Sequence, residues 1–418
     1  MTPSSPLPNR WLIAGAAVTM QVCLGIIYAW SVFRGPLEQH YGWSKSVSIA
    51  PYRWSILFFT LAMIVAGFWQ DRKGPRMVGS VGGVLLGLGC LLAAFIGNTP
   101  EGLNFSYGVV AGLGVGFAYV TPIATCVKWF PDKRGFVVGL AVMGFGLGSL
   151  IFAPLLEALL GNDPARYAET LPRTFLILSG LFFVLVTGCA QFYQVPPAGY
   201  KPAGWTPPAA AGPAVDMEPG TMVRTPAFYV LWLVYFLGSS VGLTAIGESA
   251  PLVRELAGTA AAMTGGVALG VMSLFNGVGR LIWGTLSDRM GKRTVVLAMF
   301  LTSALTCALL LPNTRDFWRV LAGICIVGFC YGGYLALMPS LCAEYFGSRR
   351  IGANYGILFT AWGAAGFVVP RYMASVIEAR KATGNVAQGY NEMFYSLAAL
   401  AVVGIVIAFA LRARSKAA

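Results

Sequence analysis

Arg280 is a fixed positive charge inside a stretch, residues 265–284, whose other members are apolar, small or uncharged. In a bilayer an arginine at the centre of a helix costs about 3 kcal/mol on insertion scales, so such groups face a protein interior and find a partner. No carboxylate lies one helical turn away; Asn276 and residues 281–284 carry no charge. The simplest partner is an anion that arrives and leaves; the alternative is a structural arginine bonded to helix ends or carbonyls. A planar guanidinium suits a carboxylate, which it holds through two parallel hydrogen bonds. Asn276, four residues earlier, shares the helix face of Arg280, where it can orient the guanidinium or donate to a substrate oxygen. Tyr28, Tyr119 and Tyr331 fall in the middle of apolar stretches, not at the interfacial ends where aromatic belts form. Their hydroxyls are candidate donors to a carboxylate or a 2-hydroxyl group, with packing as the alternative for each.

Other chemistries find little material. The eight cysteines (Cys23, Cys90, Cys126, Cys189, Cys307, Cys325, Cys330 and Cys342) all sit in apolar stretches and form no CxxC pair. They read as small core residues, with no metal site and no cofactor implied. His40 is the one histidine. It falls in the first outer loop, with no second group beside it to work with. Scattered acids and a single histidine do not make a catalytic cluster, so an enzyme is not expected.

These groups are positioned by membrane helices. The chain has 418 residues, 57% hydrophobic and 11% charged, with a mean hydropathy of +0.69. A soluble protein would carry about a quarter charged residues. Apolar runs long enough to cross a bilayer occur at 11–33, 50–69, 77–97, 105–127, 136–160, 173–194, 226–248, 262–285, 294–312, 318–343, 353–377 and 391–411. No period-two alternation accompanies them, which excludes an outer-membrane barrel. The expected fold class is an all-α membrane protein of twelve transmembrane helices. The polar lead MTPSSPLPNR runs into a long span without a cleavage pattern, so no removed signal peptide is expected.

The net charge of +13 is a topology signal and does not point to nucleic acid. With the N-terminus inside, 17 Lys and Arg fall in inner segments: Arg10, Arg72, Lys73, Arg76, Lys128, Lys133, Arg134, Lys201, Arg224, Arg289, Lys292, Arg293, Arg349, Arg350, Arg412, Arg414 and Lys416. Nine fall outside, and Arg53, Arg280 and Arg371 fall within helices. The asymmetry predicts a multi-pass cell-membrane protein with both termini cytoplasmic and some attraction to anionic lipid.

Two halves flank residues 195–225, a Pro-, Ala- and Gly-rich segment read as a flexible cytoplasmic linker. The expected domains are an N-terminal six-helix bundle, 11–194, and a C-terminal one, 226–411. Gly67–Arg76 and Gly284–Arg293 both read Gly-x3-Asp-Arg-x-Gly-x-Arg, at an offset of 217 residues. Gly135, Gly139 and Gly146 fall opposite Gly352, Gly356 and Gly363 at the same offset, and Gly116-Phe117-x-Tyr119 echoes Gly328-Phe329-x-Tyr331. Six-helix repeats joined by a linker fit a carrier that rocks two bundles about a central site. Gly67 and Gly284 allow close helix approach, and Gly74 and Gly291 allow the tight turn. Asp71 and Asp288, with Arg72, Arg76, Arg289 and Arg293, are candidate gating residues in charge networks that hold one state and break in the other. Arg280 has no such echo; its counterpart is Met63.

The doubled loop motif resembles the signature of the major facilitator superfamily, and the repeat carries the resemblance over nearly the whole chain. WFPDKRG (129–135), RTPAFYVLW (224–232) and NGVGRLIWGTLSDRMGK (276–292) resemble the monocarboxylate transporter and oxalate:formate antiporter group. The resemblance implies alternating access and a substrate-binding role for Arg280. It also marks two departures. Trp362 stands where the oxalate/formate antiporters carry a lysine, which makes Trp362 a further substrate-contact candidate. Asn276 stands where animal monocarboxylate transporters typically carry aspartate, and the lysine near Val32 in those proteins is missing. One deep cation without a second favours a monoanion over a dianion. The reading is proton-coupled symport of a small monocarboxylate such as lactate or pyruvate, with no obligate protein partner. Exchange of organic anions is the transport alternative. A non-transporting membrane sensor is the alternative of another class, expected to append a signalling domain beyond a 31-residue linker and a short tail.

Overall fold

The computed structural model describes residues 8–161, 163–206, 216–256 and 265–411. Arg412, Arg414, Lys416 and part of the linker lie outside the described residues. Among the described residues the chain is helical, and eleven helices are long and apolar enough to cross a membrane; Gly265–Met290, the twelfth helix of the repeat, is not among those eleven. In chain order the membrane helices are α1 (Arg10–Leu24, continued by a 3₁₀ turn Gly25–Ala29 and a helix Trp30–Tyr41), α2 (Ala50–Lys73), α3 (Pro75–Ile96), α4 (Pro100–Trp129), α5 (Arg134–Leu160), α6 (Tyr167–Ala190), α7 (Pro226–Leu256), α8 (Gly265–Met290), α9 (Lys292–Leu310), α10 (Phe317–Phe346), α11 (Ile351–Ala382) and α12 (Val386–Ala408). The helix carrying Arg280 is α8, as the sequence predicts. Outward faces carry Leu61, Val65, Phe95, Val184, Leu309 and Val406, all more than 45% exposed. Apolar surface turned outward in this way is what a hydrocarbon solvent requires. The fold is that of a multi-pass membrane protein built from two six-helix bundles.

The bundles meet along α5–α8 and α2–α11. Both seams are built on glycine, because small residues let backbones approach without a driving force from water. A Cβ on Gly135 would meet the Gly284 carbonyl oxygen at 2.3 Å, and one on Gly139 the Arg280 carbonyl at 2.5 Å. On the other seam, a Cβ on Gly352 would meet the Gly67 oxygen at 2.8 Å, and one on Gly356 the Met63 oxygen at 2.4 Å. Each contact on one seam maps onto the other through the 217-residue offset, so the sequence repeat is a spatial one.

Two helices break at mid-span. In α1 the 3₁₀ turn Gly25–Ala29 interrupts the α-helix and carries Tyr28. Mid-helix 3₁₀ segments are common at functional hinges. In α11 the helix pauses at Phe359 between Ile351–Leu358 and Thr360–Ala382. There the Thr360 hydroxyl donates to the Ile357 carbonyl and accepts from Trp232 Nε1.

The linker differs from the expectation of a free tether. On its first side Trp129 donates to the Gln194 carbonyl and packs against Tyr200. On its second side residues 216–218 dock on the α10–α11 junction, followed by the short helix Pro219–Met222. The composition reads as flexible because docking here uses backbone groups and a few anchors, which leave no periodicity to detect.

Candidate functional site

Arg280 is fully buried. Its stem fits because α10 presents Gly332, where a Cβ would lie 3.1 Å from Arg280 Cγ. Nε and Nη2 both donate to Asn276 Oδ1, at 3.1 and 2.9 Å, and Nη1 donates to the Val142 carbonyl of α5 at 2.7 Å. Asn276 in turn donates from Nδ2 to the Gly328 carbonyl at 3.1 Å. The amide is thus fixed from both ends, and it acts here as the orienting group of the two roles open to it. The Phe145 ring lies 5.7 Å from the guanidinium carbon, a cation–π contact between the halves. None of the ion pairs among the described residues involves Arg280.

A guanidinium has five N–H donors. Three are engaged above, which leaves one on Nη1 and one on Nη2 beyond the Asn276 and Val142 contacts.

The other candidates converge on the same place. Trp362 Nε1 donates to the Tyr331 hydroxyl at 2.7 Å, so that hydroxyl keeps its own proton to donate. The Tyr28 hydroxyl is buried within reach of both Tyr331 and Arg280. Tyr28 is placed by the approach of α1 to α5, where a Cβ on Gly25 would meet the Phe145 oxygen at 2.4 Å. Tyr119 is buried with its ring against Phe59, Phe145 and Phe359, at centroid distances of 5.1, 5.2 and 5.5 Å. Phe359, at the break in α11, also stacks on Trp362 at 4.9 Å. The site is therefore one cation and a set of hydroxyls within an aromatic box drawn from both halves.

Sequence reasoning did not single out Phe59, Phe145, Phe359 or the Val142 carbonyl. The signal for two of them was present in the repeat: subtracting 217 from Asn276 gives Phe59, and from Trp362 gives Phe145. Tyr235 and Tyr355, whose hydroxyls lie 3.4 Å apart behind Phe359, also escaped it.

The gating candidates lie at the end of the bundle that carries Arg10, Lys128 and Arg350, the basic face. Asp71 accepts from the Ala353 N–H at 2.8 Å, with Lys128 3.4 Å away. Asp288 accepts from the Gly135 and Phe136 N–H groups at 3.0 and 2.9 Å. Each acid thus caps a helix of the opposite half, and the two sets correspond through the 217-residue offset. The first N–H groups of a helix have no partner within it and favour an anion. Both carboxylates accept from these N–H groups, and Lys128 adds a positive charge beside Asp71. Arg72, Arg76 and Arg289 are exposed, and Arg293 lies over the Phe409 ring of its own half at 5.4 Å.

Two pseudo-symmetric helix bundles meeting around a buried arginine, with helix caps across the seam, are the architecture of a membrane carrier. Residues 11–370 match the family model of the Major Facilitator Superfamily, and the chain belongs to that superfamily. It is 31% identical over 368 residues to an uncharacterized MFS-type transporter (YhjX) of Escherichia coli, covering 87% of each chain. It is 30% identical over 369 residues to the oxalate:formate antiporter of Oxalobacter formigenes, covering 86% of this chain and 83% of that one. The apicoplast pyruvate carrier 1 of Toxoplasma gondii is 29% identical over 360 residues, covering 72% and 64%. Among solved structures, the MFS transporter FucP in its outward conformation aligns with a TM-score of 0.71 at 16% identity, covering 96% of this chain and 98% of that one.

Proposed function

We propose that this protein is a secondary carrier of small monocarboxylates of the lactate and pyruvate type, working by proton-coupled symport and alternating access. Arg280 binds the carboxylate. The observation that carries this reading is the buried guanidinium with two donors left on Nη1 and Nη2 and no carboxylate of the described residues paired to it. Tyr331, Tyr28 and Tyr119 add hydroxyls for the acid or a 2-hydroxyl group, and the aromatic box favours a small, partly apolar body. Trp362 supplies no second charge, which fits one negative charge better than two. The oxalate:formate antiporter and the pyruvate carrier among the relatives fit the same chemical class.

With the basic face assigned to the cytoplasm by the positive-inside rule, both termini are cytoplasmic and the cytoplasmic side is closed by the two helix caps. Opening there breaks the Asp71 and Asp288 contacts and separates Val142 from Arg280, which frees a donor of the binding group as the halves part. A proton crosses with the loaded carrier, on or beside the substrate carboxylate.

Purified protein in liposomes under an imposed inward proton gradient is expected to accumulate lactate against its own gradient. Brisk lactate–lactate exchange without such accumulation would replace symport by anion exchange. The 30% identity to the oxalate:formate antiporter makes that the second reading.

A further inference from the structure

Each helix end that receives a gating acid is preceded by a loop held down by a short segment, from the start of its own half or from the end of the linker that leads into it. Before α11, Asp216 accepts from the Arg349 N–H at 3.0 Å, and Glu218 pairs with Arg350 Nε at 2.9 Å. Between them Met217 donates to the Phe346 carbonyl at 2.8 Å and accepts from the Asn354 side chain at 3.0 Å. Asn354 is fully buried one residue past Ala353, whose N–H binds Asp71. Before α5, Asp132 forms a two-pronged pair with Arg10, at 2.8 and 3.1 Å, and Arg10 covers the Phe130 ring at 4.6 Å. Asp132 and Arg349 correspond through the 217-residue offset, and both lie three or four residues ahead of the N–H groups that bind Asp288 and Asp71.

We propose that Arg10–Asp132 and Asp216–Met217–Glu218 are paired straps that position the first turns of α5 and α11 to receive Asp288 and Asp71, and so set the balance between the two carrier states. No strap contact joins the two halves: one lies within the first half and the other ties the linker end to the second half, while the acid caps join the halves. When the bundles separate at the basic face, the caps break and the straps travel with their helices. A receiving turn that is already ordered has less conformational freedom to lose when the cap re-forms, and preorganisation of this kind appears as tighter association. Loosening a strap therefore favours the state open at the basic face, without a change in any group that touches substrate. The inference rests on alternating access but not on the identity of the acid carried.

The test labels two exposed positions on opposite halves, Lys73→Cys on α2 and Met290→Cys on α8, with the half-buried Cys189 replaced by serine, and reads their separation by pulsed spin–spin distance measurement without substrate. Asp216→Asn with Glu218→Gln, and separately Asp132→Asn, are expected to raise the long-distance population at least about threefold. The milder Glu218→Gln, at an exposed side chain, is expected to raise it about twofold and serves where the double variant does not fold. The swap Glu218→Arg with Arg350→Glu is expected to restore the original distribution. In liposomes, the half-saturation for lactate presented opposite the basic face should rise by the factor by which that state is depleted. Distance distributions that stay unchanged in the strap variants, or a charge swap as open as the single variant, would overturn the proposal. A transport failure with the expected distance shift would count against the choice of lactate and leave the straps standing.

Discussion

Replacing Asn276 by aspartate keeps the shape of the side chain and changes its charge and its hydrogen-bond donor. The oxygen that accepts from Arg280 Nε and Nη2 at 3.1 and 2.9 Å becomes part of a permanent anion. At about 3 Å and an effective dielectric of about 20, the gross attraction is about 5 kcal/mol. The charge that an incoming carboxylate needs is then already answered. If a fifth of that attraction is withdrawn from the substrate, binding falls about fivefold, and half of it gives about seventyfold. The substitution also removes the donor to the Gly328 carbonyl, 3.1 Å away, which an ionised aspartate faces with oxygen against oxygen.

Protonation of the introduced carboxyl group would repair both faults: its O–H donates to Gly328, and its neutral form returns the full charge of Arg280 to the substrate. Binding to the variant should therefore be weak at pH 8 and recover as pH falls through the pKa of that group, while the wild type varies less over the same window. Titration calorimetry with lactate in detergent at several pH values measures this directly. Wild-type affinity in Asn276→Asp at pH 8 would refute the reasoning, because it would mean that the charge of Arg280 does not hold the acid.

Other perturbations follow from the same geometry. Arg280→Lys keeps the charge but cannot reach Asn276 and Val142 while presenting two parallel donors; a loss of about 1.5–3 kcal/mol in lactate binding is expected, read as a tenfold or greater rise in Kd. Trp362→Lys places a second cation beside Tyr331, and competition assays should show oxalate gaining at least about tenfold on lactate. Asp71→Asn weakens the cap on Ala353 by about 1 kcal/mol, which should raise the reactivity of a cysteine introduced at the α2–α11 seam about fivefold. Gly139→Val puts a side chain where a Cβ already meets the Arg280 carbonyl at 2.5 Å, so transport should be lost and the unfolding temperature should drop by several degrees.

The helices were legible because span length and hydropathy are set by the bilayer, and the repeat was legible because the glycines of the seams leave no room for a side chain. The same offset that pairs Gly139 with Gly356 pairs Arg280 with Met63, Asn276 with Phe59 and Trp362 with Phe145. The site is thus an asymmetry imposed on a symmetric frame: the C-terminal half supplies the cation and its orienting amide, and the N-terminal half supplies aromatic rings at the places equivalent to Asn276 and Trp362. What could not be read was who bonds to whom across the seam. Asp71 and Asp288 look like members of charge networks because arginines follow them in the motif; Asp71 does pair with Lys128, but both acids also bind N–H groups of α11 and α5, which almost any residue provides and which no side-chain pattern announces. The Val142 carbonyl beneath Arg280 is hidden for the same reason. Backbone groups carry no residue identity, so contacts made on helix ends stay hidden from the sequence, while contacts between paired side chains would be displayed in it.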